Sequence, residues 1–299
     1  MDEQKKQAIK KAIAETIVFF DIFKYPLNAW ELWQYNKISC SYQDFILILS
    51  ELSWPNKNGF YFLPGREELL AERAKRYNYT DTKMKIAKRM ASIFRFLPWV
   101  DMVAVSNIIG SHNLRAESDI DIFIISTKYR IWLCRFFCTG LMALLNKRPR
   151  PKNKKNKICL SFYIDQSHLQ LKDFRLHAND IYFNYWVLGL VPLFVRADTY
   201  FNFLAANLWL KEYFPNYEGN KMSSRRYFAT KREIKYNPVF GYLEKLARRF
   251  QLAIMPEKLK SLANQSSAVI ISDGILKLFL EDKRNDIYAT FLDKMKQYG

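Results

Sequence analysis

The chain has 299 residues, 49% of them hydrophobic and 16% aromatic, enough apolar surface to exclude a disordered chain or a disulfide-dependent miniature. Its 47 lysines and arginines outnumber 29 aspartates and glutamates, and the net charge of +18 calls for a polyanionic partner, either nucleic acid or an anionic membrane surface. Cys40, Cys134, Cys138 and Cys159 are scattered without a CxxC pair, which supports neither a disulfide framework nor a zinc ribbon and points to a reducing compartment, the cytoplasm.

Met1 to Lys11 carries charges where a secretory leader needs an apolar stretch, and no uncharged apolar run reaches the length of about 18 residues that a membrane span requires. From Gln4 to Phe23 apolar residues recur at helical spacing, until Tyr25-Pro26 stops the helix. A second helix fits Asn28 to Tyr35, with Asn28 as N-cap and Glu31 completing a capping box; a third fits Ser41 to Leu52, capped by Ser41. Asn58-Gly59, followed by Phe60 to Leu63, reads as a tight hairpin. Three helices followed by a hairpin make a winged-helix pattern, although the third helix carries Asp44 and Glu51 and neither lysine nor arginine. A helix from Gly65 through Arg76 and another from Thr80 to Phe96 form a basic connector, either a solvated face or a stripe turned to nucleic acid.

Val100 to Val105 reads as a strand, and Ser118 to Ser126 as a second, opened by two aspartates. Residues two apart in a strand share a face, so Asp119 and Asp121 point the same way and repel each other unless a cation sits between them. Hard oxygen donors suit Mg2+ or Mn2+. The helix Trp132 to Leu145 leads into Lys147, Arg148, Arg150, Lys152, Lys154, Lys155 and Lys157, an exposed loop whose charge density attracts phosphate backbones. A third strand, Ile158 to Ile164, alternates Ile158, Leu160, Phe162 and Ile164 on one face with Cys159, Ser161 and Tyr163 on the other.

Helices are expected over Asp180 to Leu193, Asp198 to Phe214 and Asp273 to Gln297. Lys221, Arg225, Arg226, Lys231, Arg232, Lys235, Lys245, Arg248 and Arg249 form a second basic cluster interleaved with Tyr227, Phe228 and Tyr236. That composition suits either single-stranded nucleic acid or another acidic partner. His112, His168 and His177 are isolated.

The succession of strand, small-residue turn and Ser118-Asp119-Ile120-Asp121-Ile122 resembles the DNA polymerase β-like nucleotidyltransferase superfamily. Most of the chain is similar to bacterial nucleotidyltransferase-domain proteins with an N-terminal winged helix, through Phe19 to Leu27, Gly59 to Glu68, Ile158 to Leu160, Pro192-Leu193 and Asn207 to Asn216. The resemblance implies that Asp119 and Asp121 bind Mg2+ or Mn2+ and orient a nucleoside triphosphate. Gly110-Ser111, with Ser118, would hold its phosphates. The Gly110 to Asp119 spacing is shorter than the family's, and an ungapped frame instead sets the Gly-Ser pair on Asn107-Ile108. The superfamily's third carboxylate has no counterpart within the Ile158 to Ile164 strand, and Asp165 at its end is the nearest acid.

The expected architecture is therefore a mixed α/β (α+β) chain. It comprises a winged-helix-like domain over 1–78, a small mixed-sheet nucleotidyltransferase-like core over 79–180 and a helical region over 181–299. The expected activity is transfer of a nucleotidyl group from a nucleoside triphosphate to an acceptor. The rival is a noncatalytic nucleic-acid-binding or regulatory protein on the same core.

Overall fold

A computed structural model describes residues 1–110, 112–219, 228–230 and 239–298. The helix α1 (Glu3–Ile22) starts where Asp2 accepts from the Lys5 amide at 2.6 Å. The short strand β1 (Leu27–Asn28) leads into α2 (Ala29–Gln34), whose Asn28 and Glu31 form the reciprocal capping box. Ser41 caps α3 (Tyr42–Ser50). The hairpin β2 (Asn56–Lys57) and β3 (Phe60–Tyr61) turns on Asn58 and Gly59, both at positive φ (54° and 78°), as the twist of a two-residue turn demands. These strands form a small sheet in the order β1-β3-β2.

A single helix, α4 (Leu69–Phe94), replaces the two expected there and runs across residue 78 without a break. The main sheet begins with β4 (Val100–Val105) and β5 (Ile120–Ser126), crosses over through α5 (Ile131–Leu144), and continues with β6 (Ile158–Asp165). After α6 (Ile181–Leu188) come β7 (Val191–Arg196), α7 (Thr199–Ala206) and β8 (Phe228–Thr230). The chain closes with α8 (Val239–Ala253), α9 (Glu257–Leu262), β9 (Val269–Ile271), β10 (Ile275–Leu278) and α10 (Arg284–Tyr298). The seven strands lie in the order β8-β7-β4-β5-β6-β10-β9, with β5/β6 and β7/β8 parallel and the other pairs antiparallel. No helix among the described residues is long and apolar enough to cross a membrane.

The expectation of a helical region over 181–299 is corrected: strands β7 to β10 of the main sheet come from it. The helix expected over Asp180 to Leu193 stops at Leu188, where Gly189 weakens it and Pro192 disfavours helical backbone at Val191, and Val191 to Arg196 pairs with β4 instead. The helix expected from Asp273 begins only at Arg284, since Leu276 and Lys277 take opposite faces of β10.

One face of the sheet packs Val103, Val105, Ile122 and Ile124 beneath α4 and α5. The other packs Met102, Phe123, Phe162 and Ile164 beneath Phe183 and Trp186 of α6. A third cluster joins Ile13, Phe19 and Phe20 of α1 to Tyr185 of α6, Phe214 and Phe291 of α10. The N-terminal helices thus share their core with the C-terminal third. Phe20 is fully buried, with its ring centroid 5.1 Å from that of Tyr35 and 4.9 Å from that of Tyr185. Phe20→Ala is expected to cost about 3–5 kcal/mol, read as one shifted transition in a denaturant titration. Two separated transitions would contradict the shared core.

Candidate functional site

The entry to β5 is set by a buried lysine. Lys83 of α4, 1% exposed, donates to the Ser118 carbonyl at 2.6 Å and to Asn156 Oδ1 at 2.9 Å. Burial pushes its ammonium pKa down, while the charges of Asp119 and Glu117 pull it up. The Asn156 amide donates to the Ser118 carbonyl (3.2 Å) and the Ile120 amide to the Lys157 carbonyl (2.8 Å). These bonds tie the end of the basic loop to the chain on either side of Asp119. Lys155 pairs with Glu117 at 2.8 Å.

Asp121 is the second residue of β5 and lies opposite Cys159 on the parallel strand β6. Oxygens of Asp119 and Asp121 and the Cys159 sulfur all lie within 4.8 Å of one another. Asn107, at the end of β4 with φ 59°, donates through Nδ2 to Asp121 Oδ2 at 2.9 Å and accepts from the Tyr182 hydroxyl. Burial raises the Asp121 pKa, the Asn107 hydrogen bond opposes that, and the Asp119 charge raises it further. The Cys159 thiol is pushed well above its ordinary range, first by burial and then by the Asp121 charge. The two carboxylates offer hard oxygens that suit a divalent cation, and the softer Cys159 sulfur lies beside them.

A bulge in β6 follows just after Cys159. Asp121 pairs with Cys159 but Phe123 with Phe162, so two residues of β5 span three of β6. Ile158 and Leu160 pack on the α5 side with Tyr163, while Phe162 and Ile164 pack beneath α6. Strict alternation along this strand is corrected accordingly.

Asp165 is not part of the site. It pairs with Ser126, five residues beyond Asp121 and about 16 Å further along the strand. Its fully buried carboxylate accepts from the Tyr129 and Ser167 amides at 3.0 and 2.9 Å and lies 2.8 Å from His168 Nδ1, so it closes a turn. Gly110 is spent on packing: at φ 83°, an added Cβ would meet the Tyr25 ring at 2.7 Å. Ser111 lies outside the described residues. The Ser118 hydroxyl is committed to the Arg115 carbonyl at 3.1 Å. Among the described residues of the expected phosphate turn, Asn107 is the one hydrogen-bonded to a carboxylate of the pair. In the second basic cluster, Lys221, Arg225, Arg226, Lys231, Arg232 and Lys235 lie outside the described residues, and Arg248 pairs with Asp273 at 2.9 Å.

Beside Asn107 and Tyr182 lies a pocket of about 240 Å3, walled by Phe162, Phe183, Trp186 and Phe279. Lys277 lines it, 3% exposed and ringed by Phe162, Phe174, Phe183 and Phe279 at 5.4–5.9 Å from their centroids. Burial, aided by the Arg284 charge, pushes the Lys277 pKa down to about 7. The alternation of Ile275, Lys277 and Phe279 was the signal for this position, and a charged residue within it masked the strand.

Comparisons with protein-family models, with curated proteins and with solved structures find no match.

Lys83→Met keeps the bulk but removes the buried ammonium's bonds to the Ser118 carbonyl and to Asn156 Oδ1, leaving the latter without that donor. It is expected to cost about 1–3 kcal/mol by denaturant titration; an unchanged midpoint would mean that the lysine does not hold the β5 entry. For Lys277, the unfolded state holds the extra proton between about pH 7 and the ordinary value of 10.5. Stability therefore rises with pH across that window. Lys277→Met is expected to flatten the rise, measured as the wild-type minus variant difference in unfolding free energy from pH 7 to 10.

Proposed function

We propose that this chain is a metal-dependent nucleotidyltransferase, moving a nucleotidyl group from a nucleoside triphosphate to an acceptor. The observation that carries the reading is the approach of Asp119 and Asp121 at the head of β5, with Asn107 bonded to the second carboxylate. The resemblance to the polymerase β-like superfamily supports it through those residues and through the left-handed turn at Asn107. That turn falls where the ungapped frame sets the family's Gly-Ser pair, and asparagine tolerates the glycine-like conformation. The three N-terminal helices with their hairpin are compatible with a winged helix.

Asp119 and Asp121 would hold Mg2+ or Mn2+, which supplies charge neutralisation on the transferring phosphoryl group. Asn107 fixes the rotamer of Asp121, and Lys83 fixes the backbone from which Asp119 projects. The basic loop, from Lys147 and Arg148 through Arg150, Lys152 and Lys154 to Lys155 and Lys157, ends beside Asp119 and favours an acceptor that carries phosphates.

A second reading rests on Cys159. The superfamily commonly supplies its third carboxylate from a later strand, whereas β6 brings a protonated thiol to the carboxylates. A noncatalytic nucleic-acid-binding or regulatory protein follows if two carboxylates bind the cation too weakly for turnover.

Thermal stability in Mg2+ or Mn2+ with each nucleoside triphosphate separates the readings, alongside the Asp119→Ala/Asp121→Ala double variant and Cys159→Asp. The first predicts a metal-dependent rise in the wild type, absent from the double variant, and labelled nucleotide transferred to an acceptor. The second predicts no rise in the wild type, with a response gained in Cys159→Asp.

A further inference from the structure

The helix α8 is apolar on two sides, and among the described residues only one is covered. Its inner side meets α5: Glu244 accepts from the Trp132 and Leu133 amides at 2.7 and 2.9 Å, and Gln251 donates to the Trp132 carbonyl at 2.8 Å. Ala247 is buried between them. The outer side carries Tyr242, Leu243, Leu246 and Phe250, which are 67%, 38%, 41% and 52% exposed. At 3.6 residues per turn these positions fall within an arc of about 100°, the width of a stripe that ordinarily faces a core. Ile254, just past the helix, extends it at 65% exposure. The patch continues onto α5, where exposed Phe136 meets the Phe250 ring at 5.8 Å.

Cations border this stripe. Lys245 and Arg249 are exposed one turn apart along its edge. The acidic residue of the same helix, Glu244, is turned inward to cap α5. At the far end of α5, Leu144 (84% exposed) and Leu145 lead directly into Lys147 and Arg148.

An apolar stripe edged with lysine and arginine matches a surface that is oily within and anionic at its rim. A second copy of this chain would bring the same cations and a net charge of +18 against the first, which opposes self-association through this face. A nucleic acid backbone would satisfy the cations and leave the leucines in water. We propose that α8, with the exposed face of α5, docks on an anionic lipid bilayer. The stripe enters the boundary between headgroups and acyl chains, and Lys245, Arg249 and the start of the basic loop meet lipid phosphates and carboxylates.

The test is cosedimentation of the full chain with vesicles of phosphatidylcholine alone or mixed with phosphatidylserine, at low and high salt. The expected result is binding to the phosphatidylserine vesicles only, weakened by salt. Partition should fall about tenfold in Leu246→Glu/Phe250→Glu and by a similar factor in Lys245→Gln/Arg249→Gln. Phe201→Glu, at a more exposed aromatic on α7 over the opposite face of the sheet, should bind as the wild type does. Thermal midpoints of all variants should match the wild type, because the substituted side chains are exposed. Absence of wild-type binding overturns the proposal, as does equal binding to both vesicle types. Undiminished binding by Leu246→Glu/Phe250→Glu overturns the role of the stripe. A wild-type dimer in light scattering that Leu246→Glu/Phe250→Glu dissolves would assign the face to a second copy instead.

Discussion

Asp119, the residue before β5, and Asp121, its second residue, bring carboxylate oxygens within 4.8 Å of each other, and their mutual repulsion is the constraint that the surrounding structure has to meet. A strand places residues two apart on one face, and the isoleucines on either side of Asp121 lie in the core, so the pair cannot turn away. The protein answers the repulsion locally. Asn107 donates to Asp121, Cys159 presents a neutral thiol in place of a third charge, and Lys83 anchors the carbonyl just before Asp119 from beneath. None of these neutralises the pair completely, since burial and the Asp119 charge still raise the Asp121 pKa.

The same constraint explains why distant elements matter. Lys83 belongs to α4, whose earlier turns carry Arg73, bonded bidentately to Glu31 of α2 at 2.9 Å for both contacts. Tyr25, which packs over Gly110 in the turn after β4, donates to the same Glu31 at 2.8 Å. The N-terminal helices are therefore continuous with the support of the site, and they share a core with α6, the helix that supplies Tyr182. Charge is distributed differently: the basic loop ends at the carboxylates, whereas the cations of α8 border an apolar stripe above α5.

Much of this was legible in the residues. The capping box at Asn28 and Glu31, the Asn58-Gly59 turn, β4, β5 and the shared face of Asp119 and Asp121 all follow from local chemistry that the structure retains. What escaped is what depends on pairing partners. The bulge in β6 is invisible in an apolar run where every residue favours a strand, and it turns Phe162 and Ile164 to the α6 side while Ile158 and Leu160 stay on the α5 side. Asp165 looked available because a strand-end acid carries no mark of its hydrogen bonds to Tyr129 and Ser167. The strands β7 and β10 were hidden inside segments that read as helical, the first beyond Pro192's own warning and the second behind Lys277. In each case the sheet supplied a stabilising neighbour that local periodicity does not record.

The pairing of Asp119 with Asp121 as a cation site is tested by titrating the protein with Mn2+ and a nucleoside triphosphate, reading free Mn2+ by electron paramagnetic resonance. Saturable, nucleotide-dependent Mn2+ binding is expected in the wild type, with its loss when Asp119 and Asp121 are both replaced by alanine. Equal Mn2+ binding by the wild type and the double variant, or none by the wild type, would contradict it.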